Sequence, residues 1–84
     1  MCFVYILLSQ KDQRTYTGYT QDLEARIEKH NKGYVRSTKH RRPLQLMYFE
    51  EFKTSNEAKE YELWLKSSSG RKRLGDLYKI HANK

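Results

Sequence analysis

The feature that most constrains this chain is an unbroken apolar run near its start, Phe3-Val4-Tyr5-Ile6-Leu7-Leu8. Alternate side chains of a β-strand point to opposite faces, so a strand with one wetted face carries a polar residue at every second position. Here the only polar atom in the run is the hydroxyl of Tyr5. β-Branched and aromatic residues mark a strand, and apolar side chains on both parities require a covering layer on each face. A chain of 84 residues is one domain's worth and has few elements with which to build those layers. The rest of the sequence is therefore expected to arrange itself around this strand.

Ser9 to Arg14 is polar and closes a hairpin onto Thr15-Tyr16-Thr17-Gly18-Tyr19, expected antiparallel to the first strand. Asp22 can cap a helix that runs to about Asn31 and stops at Gly33. The apolar stripe of that helix is only Leu23 and Ile27, and Arg26 and His30, one turn apart, project together from its border. Tyr34 to Arg42 is basic and irregular and ends at Pro43, and Leu44-Gln45-Leu46-Met47-Tyr48-Phe49 reads as a third strand. Thr54-Ser55-Asn56-Glu57 is a capping box that opens a second helix reaching about Lys66. Ser67-Ser68-Ser69-Gly70 weakens helix, so a third, basic helix is expected only from Arg71 to about Ile80. The order β-β-α-β-α-α predicts an α+β fold, a three-stranded antiparallel sheet flanked by three helices, with residues 1–84 forming a single domain.

Seventeen Lys and Arg against ten Asp and Glu give a formal charge of +7, which points to a polyanionic partner. Lys29, Lys32, Arg36, Lys39, His40, Arg41 and Arg42 form one basic stretch, and Arg71-Lys72-Arg73 adds another. Tyr34, Tyr48, Trp64 and Tyr78 interleave with them, the mixture that nucleic-acid surfaces use for charge and stacking. The plainer reading is a solvated charged surface. A charged membrane surface would attract the same residues, but the apolar run is too short to span a bilayer or act as a signal peptide. A cytoplasmic protein with no membrane partner is the expectation. One cysteine, Cys2, excludes an internal disulfide and a multi-cysteine zinc site, and His30, His40 and His81 share no metal-binding spacing. No glycine-rich phosphate loop and no Gly-x-Ser-x-Gly elbow is present.

Two groups of residues stand out against this background. Ala58, Tyr61 and Leu65 define the apolar face of the second helix, and Glu62 falls inside it. A carboxylate turned inward costs several kcal/mol in rough terms unless it is paired or bound to a metal. An ion pair with Lys66 at i, i+4 spacing is the ordinary way out. Tyr5 and Tyr16 form the second group. With Leu7 opposite Tyr16 in the hairpin, Tyr5 lies opposite Gly18, and the two phenols become diagonal neighbours with no side chain between them. Each tyrosine alone also reads as an ordinary strand residue, and Arg26 as part of a solvated helix face.

Taken in order, these residues resemble the GIY-YIG nuclease domain family over nearly the whole chain, and in particular its short stand-alone members, which are related to the nuclease domain of an excision-repair endonuclease. Phe3-Val4-Tyr5 stands where the family has Gly-Ile-Tyr, and Tyr16-Thr17-Gly18 where it has Tyr-Ile-Gly. Arg26 falls eight positions beyond that glycine, where the family carries its helix arginine, with His30 one turn later. Glu62 matches the metal-binding glutamate within an Ala-x-x-x-Glu-x-x-x-Lys pattern, and Arg36-Ser37-Thr38 and Arg42-Pro43-Leu44 also resemble the short members. The chain departs from the pattern at Phe3, Thr17 and Tyr19, and Leu74 occupies the neighbourhood of an asparagine that some members carry.

The resemblance implies a divalent-metal-dependent DNA endonuclease that hydrolyses phosphodiester bonds in DNA repair or processing. Tyr5, Tyr16, Arg26, His30 and Glu62 would be catalytic, Gly18 structural, and Glu62 the ligand of one Mg2+ or Mn2+ ion. Lys29, Lys32, Arg36, Lys39, Arg41, Arg42, Arg71 and Lys72 would hold the nucleic acid. Tyr5 is the favoured general base, provided that nearby positive charge lowers its pKa from about 10; Tyr16 would orient water or phosphate, and His30 would relay a proton. The rival readings are a catalytically silent nucleic-acid-binding module on the same scaffold, and a recruitment module for a repair-protein partner.

Overall fold

The computed structural model describes residues 1–82. Strands β1 (Cys2–Ser9), β2 (Thr15–Thr20) and β3 (Leu44–Phe52) form one antiparallel sheet in the order β2-β1-β3. Helix α1 (Leu23–Asn31) follows β2, and helices α2 (Ser55–Lys66) and α3 (Ser68–Ala82) follow β3. This is the expected α+β arrangement, order β-β-α-β-α-α. The strands extend slightly past the expected limits, β3 by three residues to Phe52.

The central strand is β1, and its two parities divide the core. Val4 and Ile6, with Cys2, pack against Ala58, Leu65 and Leu77 of α2 and α3. Tyr5 and Leu7 pack with Leu44 against Tyr16, Leu46 and the α1 pair Leu23 and Ile27. Val4, Tyr5, Ile6 and Leu7 have no exposed surface at all. Full burial of aliphatic chains of this size stabilises by about 1.5–3 kcal/mol each, which is why the run must occupy the centre.

The register of the hairpin is the one that aligns Leu7 with Tyr16 and Tyr5 with Gly18. Its loop is held by Ser9, whose buried Oγ accepts from the amides of Lys11 and Asp12 and donates to the carbonyl of Arg41 at 2.7 Å. The caps form as the sequence predicts. Asp22 accepts from the amide of Ala25, and Thr54 from the amide of Glu57. Gly33, with φ of +83°, lies just past the C-cap Lys32 of α1.

The expected start of the last helix is corrected by the structure. Instead of a break through Gly70, α3 begins at Ser68. Ser67 alone is the break: it ends α2, and its Oγ accepts from the amide of Gly70, so one serine closes one helix and caps the next. Gly70 is helical because the hairpin between α2 and α3 needs it there. A Cβ on Gly70 would collide with the Trp64 carbonyl oxygen and the Leu65 Cα. Helix propensity loses here to the close approach of two backbones.

Gly70→Ala should therefore lower stability by about 1–3 kcal/mol through forced separation of α2 and α3. Gly75→Ala, in the same helix but with open space around its Cα, should raise it by about 0.5–1 kcal/mol. Urea unfolding of the two variants beside the parent measures both. Equal shifts of the same sign would show that the helix hairpin does not depend on close contact at Gly70.

Candidate active site

The site grows from the one polar atom in the apolar run. Because β1 is covered on both faces, the Tyr5 hydroxyl lies in the interior and must find partners there. Two residues of α1 supply them. The Tyr5 Oη lies 2.9 Å from His30 Nε2, and Arg26 donates its Nε–H to the same oxygen at 3.3 Å. Arg26 and His30 are one helical turn apart, so a single face of α1 delivers both. His30 is fully buried, and its Nδ1 lies 2.7 Å from Oγ1 of Thr38, itself fully buried in the segment that follows α1.

Tyr16 completes an aromatic cluster with its ring 6.3 Å from that of Tyr5 and 5.0 Å, edge-on, from that of His30. Tyr16 is half-buried, whereas Tyr5 is not exposed at all. Gly18 is the reason the phenol fits. A Cβ there would lie 2.6 Å from the Tyr5 oxygen and 3.1 Å from the Tyr16 ring, so any side chain would expel Tyr5 from its place.

Glu62 arrives from the other helical layer, on α2, which packs against β1 and β2. Its side chain is only 16% exposed, and its one ion pair among the described residues is with Lys66 at 3.7 Å, whose side chain is 52% exposed. So the ion pair anticipated from sequence exists, but it is long and half open to solvent. It does not neutralise Glu62 by itself. The negative charge of Glu62 reaches Tyr5 and contributes to raising the phenol's pKa. No group of three His, Cys, Asp or Glu able to hold a metal is found among the described residues, so a cation at this site would rest on one carboxylate.

The electrostatics overturn one expectation. A phenolate base at Tyr5 requires positive charge to lower its pKa, but burial raises it by more than the hydrogen bond and charge of Arg26 lower it, and Tyr16 and Glu62 add smaller upward pushes. At neutral pH Tyr5 is a neutral phenol. The hydrogen bond to Tyr5 raises the Arg26 pKa, so the guanidinium stays charged. Burial, with Arg26 alongside, pushes His30 down to about 4, so its imidazole is neutral too.

The basic residues fall into separate groups. Arg71 and Lys66 line an open groove that also includes Tyr16, Thr15 and Leu74. Lys39 and Arg42 line a second groove with Lys11 and His40. Arg41 is engaged inside the protein, donating to Asp12 at 3.2 Å and to the carbonyl of Thr15, and Lys32 is paired with Glu28 at 2.7 Å. Lys29, Arg36 and Lys72 are exposed. Thr38 is the residue of the site to which the sequence assigned no role, though it falls within the Arg36-Ser37-Thr38 resemblance. It sits among lysines and arginines, and a hydroxyl gives no sign in sequence that it is buried.

Residues 1–74 match the model of the GIY-YIG catalytic domain. The chain belongs to that family of nuclease domains. It is 47% identical to a UPF0213 protein of Staphylococcus saprophyticus over 73 residues, 86% of this chain and 88% of the relative. UPF0213 proteins of Staphylococcus aureus are 44% identical over the same share. The solution NMR structure of a UPF0213 protein from Bacillus halodurans is similar with a TM-score of 0.54 at 37% identity, covering 92% of this chain and 85% of that one. Among the described residues, no helix of this GIY-YIG protein is long and apolar enough to cross a membrane.

The buried neutral histidine sets a pH dependence. Its native pKa of about 4 lies below the unfolded value of about 6.5, so the unfolded chain binds a proton that the native state refuses. Stability is complete above pH ~6.5 and falls as the pH drops towards ~4. Urea midpoints measured between pH 7.5 and 5 should decline in the parent and decline less in His30→Gln. Parallel slopes would mean that His30 takes up its proton over the same pH range in the native and the unfolded chain.

Proposed function

We propose that this protein is a divalent-metal-dependent endonuclease that hydrolyses phosphodiester bonds of DNA. The observation that carries the reading is a group drawn from four elements: the phenols of Tyr5 and Tyr16 beside Gly18, the charged guanidinium of Arg26 bonded to Tyr5, and the largely buried carboxylate of Glu62, whose charge reaches Tyr5. Family membership supports the reaction class, since GIY-YIG domains are nuclease domains. The donor set also fits a metal: Glu62 accepts no hydrogen bond among the described residues, and its single ion pair is long. A lone carboxylate suits Mg2+, which keeps most of its waters, and Mn2+ would substitute. When bound, such an ion would supply charge stabilisation at the phosphate and the leaving oxygen.

The chain's own residues account for the rest. Arg26 uses only Nε on Tyr5, which leaves the outer nitrogens of its fork for phosphate oxygens. Charge on the pentacoordinate phosphorus would be neutralised by a guanidinium that already stands beside Tyr5. The base need not be a phenolate. The Tyr5 oxygen takes a proton from the attacking water while its own proton passes to His30 Nε2, 2.9 Å away. The water oxygen forms the new bond to phosphorus, the ester P–O bond breaks, and the leaving alkoxide is protonated from solvent. The imidazolium then returns its extra proton to solvent, and the relay is reset. Arg26 covers the Tyr5 oxygen in the resting site, and its turn towards a phosphate would uncover a lone pair for water. Tyr16, the more exposed phenol, would orient that water or the phosphate.

Arg71 and Lys66, in the groove shared with Tyr16, are the cations best placed to hold the backbone near the reacting bond. Lys39 and Arg42 would hold it further along. Such contacts are to phosphate and carry no base sequence, so a structure-selective or non-specific substrate preference follows.

Cleavage of supercoiled plasmid with Mg2+ should be lost on chelation and reduced at least about 100-fold by Glu62→Ala and by Arg26→Ala, while filter binding of DNA persists. A Glu62→Ala protein that nicks as fast as the parent would overturn the mechanism. Binding without cleavage in the parent would leave a nucleic-acid-binding module instead.

A further inference from the structure

The buried chain of polar atoms behind Tyr5 contains a donor–acceptor puzzle with only one full solution. Four groups are involved: Arg26 Nε, Tyr5 Oη, the two ring nitrogens of His30, and Thr38 Oγ1, with separations of 3.3, 2.9 and 2.7 Å along the row. A neutral imidazole carries one N–H, on one nitrogen or the other. If the proton is on Nε2, it points at the Tyr5 oxygen, which already accepts from Arg26. The phenol's own hydrogen then has no acceptor among the described residues, inside a fully buried side chain. An orphaned buried donor costs about 1–3 kcal/mol.

The other tautomer gives every donor of the row an acceptor within 3.5 Å. With the proton on Nδ1, that nitrogen donates to Thr38 Oγ1, and Nε2 accepts from Tyr5, whose oxygen accepts from Arg26. The Thr38 hydroxyl is free to donate, and its acceptor is the carbonyl of Val35 at 3.5 Å, a long contact on an oxygen that also accepts from the amides of Thr38 and Lys39. That carbonyl can only accept, which sets the direction of the whole row. Thr38 is held in place by its own backbone, whose amide donates to the same Val35 carbonyl at 3.1 Å. It has no exposed surface, so water does not compete for its oxygen.

We infer that Thr38 is a positioning residue: its hydroxyl oxygen holds His30 in the Nδ1–H tautomer and so keeps Nε2 open to receive the Tyr5 proton. The inference rests on the proposed relay for its consequence in catalysis, but the tautomer itself is a property of the resting protein. When the relay operates, Nδ1 keeps its hydrogen on Thr38 and Nε2 gains one. The positive charge then lies on a ring whose second N–H already has an acceptor, which favours the protonated state. Without Thr38, the ring could turn or change tautomer, and Nε2 would present a hydrogen to Tyr5 where a lone pair is needed.

The test uses the full chain labelled with 15N-histidine, with His30 resonances assigned by their loss in His30→Gln. Long-range 15N–1H spectra at neutral pH distinguish the two tautomers directly and need no substrate. The parent and Thr38→Ser should show the Nδ1–H form, and Thr38→Val should shift the population to Nε2–H. Thr38→Ala serves if the valine variant does not fold. In plasmid cleavage, kcat should fall on the order of tenfold in Thr38→Val with KM unchanged, and Thr38→Ser should recover it. An Nε2–H tautomer in the parent, or an Nδ1–H tautomer that survives removal of the hydroxyl, overturns the inference. Tautomers that behave as expected in a parent that cuts nothing would overturn the nuclease reading alone.

Discussion

A phenol oxygen sits at the centre of a sheet whose middle strand is covered on both faces, and much of the molecule is arranged to satisfy it. Tyr5 is in the interior because Val4, Ile6 and Leu7 draw β1 there, and a side chain on a strand cannot choose a different face from its parity. Its hydroxyl has left water and must be compensated by hydrogen bonds. Arg26 and His30 provide them from one face of α1. That explains how a helix with only Leu23 and Ile27 for an apolar stripe docks securely. Part of its attachment is polar, buried and directional. It also explains why β2 has a glycine opposite Tyr5, since the phenol occupies the space a side chain would need.

The same arrangement sets the protonation states of the site. Burial keeps Tyr5 protonated and His30 neutral, so neither is a charged base waiting in solvent. In the proposed relay, a phenol able to accept and donate in one motion, beside an imidazole with an open lone pair, would move a proton without a phenolate ever forming. The guanidinium of Arg26 remains the one fixed positive charge within the hydrogen-bonded row, and Glu62 the one carboxylate that reaches Tyr5 electrostatically. α2 can bring that carboxylate because it packs along the edge strand β2 as well as on β1. The close contact of Gly70 on α3 with Trp64 and Leu65 fixes the C-terminal end of α2, beside Lys66, the partner of Glu62.

Not every cation on this basic surface is available to a polyanion. Arg41 ties the hairpin loop to the turn before β3 through Asp12 and Thr15, and Lys32 is engaged in a helix pair. Arg71 and Lys66 differ because they stand beside Tyr16. A charge count sees these residues as equivalent, since it is blind to which carboxylates and carbonyls lie nearby.

The amino-acid sequence by itself determined whatever depends on neighbours along the chain or on parity. The apolar run had to be central, the hairpin loop put Tyr5 across from Gly18, and Asp22 and Thr54 marked helix starts, because capping bonds span three residues. Helical spacing also exposed Glu62 as a carboxylate on an apolar face and placed Arg26 beside His30. Only the tertiary structure decided what those groups became. Thr38 joined His30 across eight residues of irregular chain, Ser67 rather than the whole Ser-Ser-Ser-Gly stretch broke the helix, and burial overrode the positive charge around Tyr5. Each of these depends on which atoms exclude water from which others, and desolvation is a property of the packed body that no local pattern encodes.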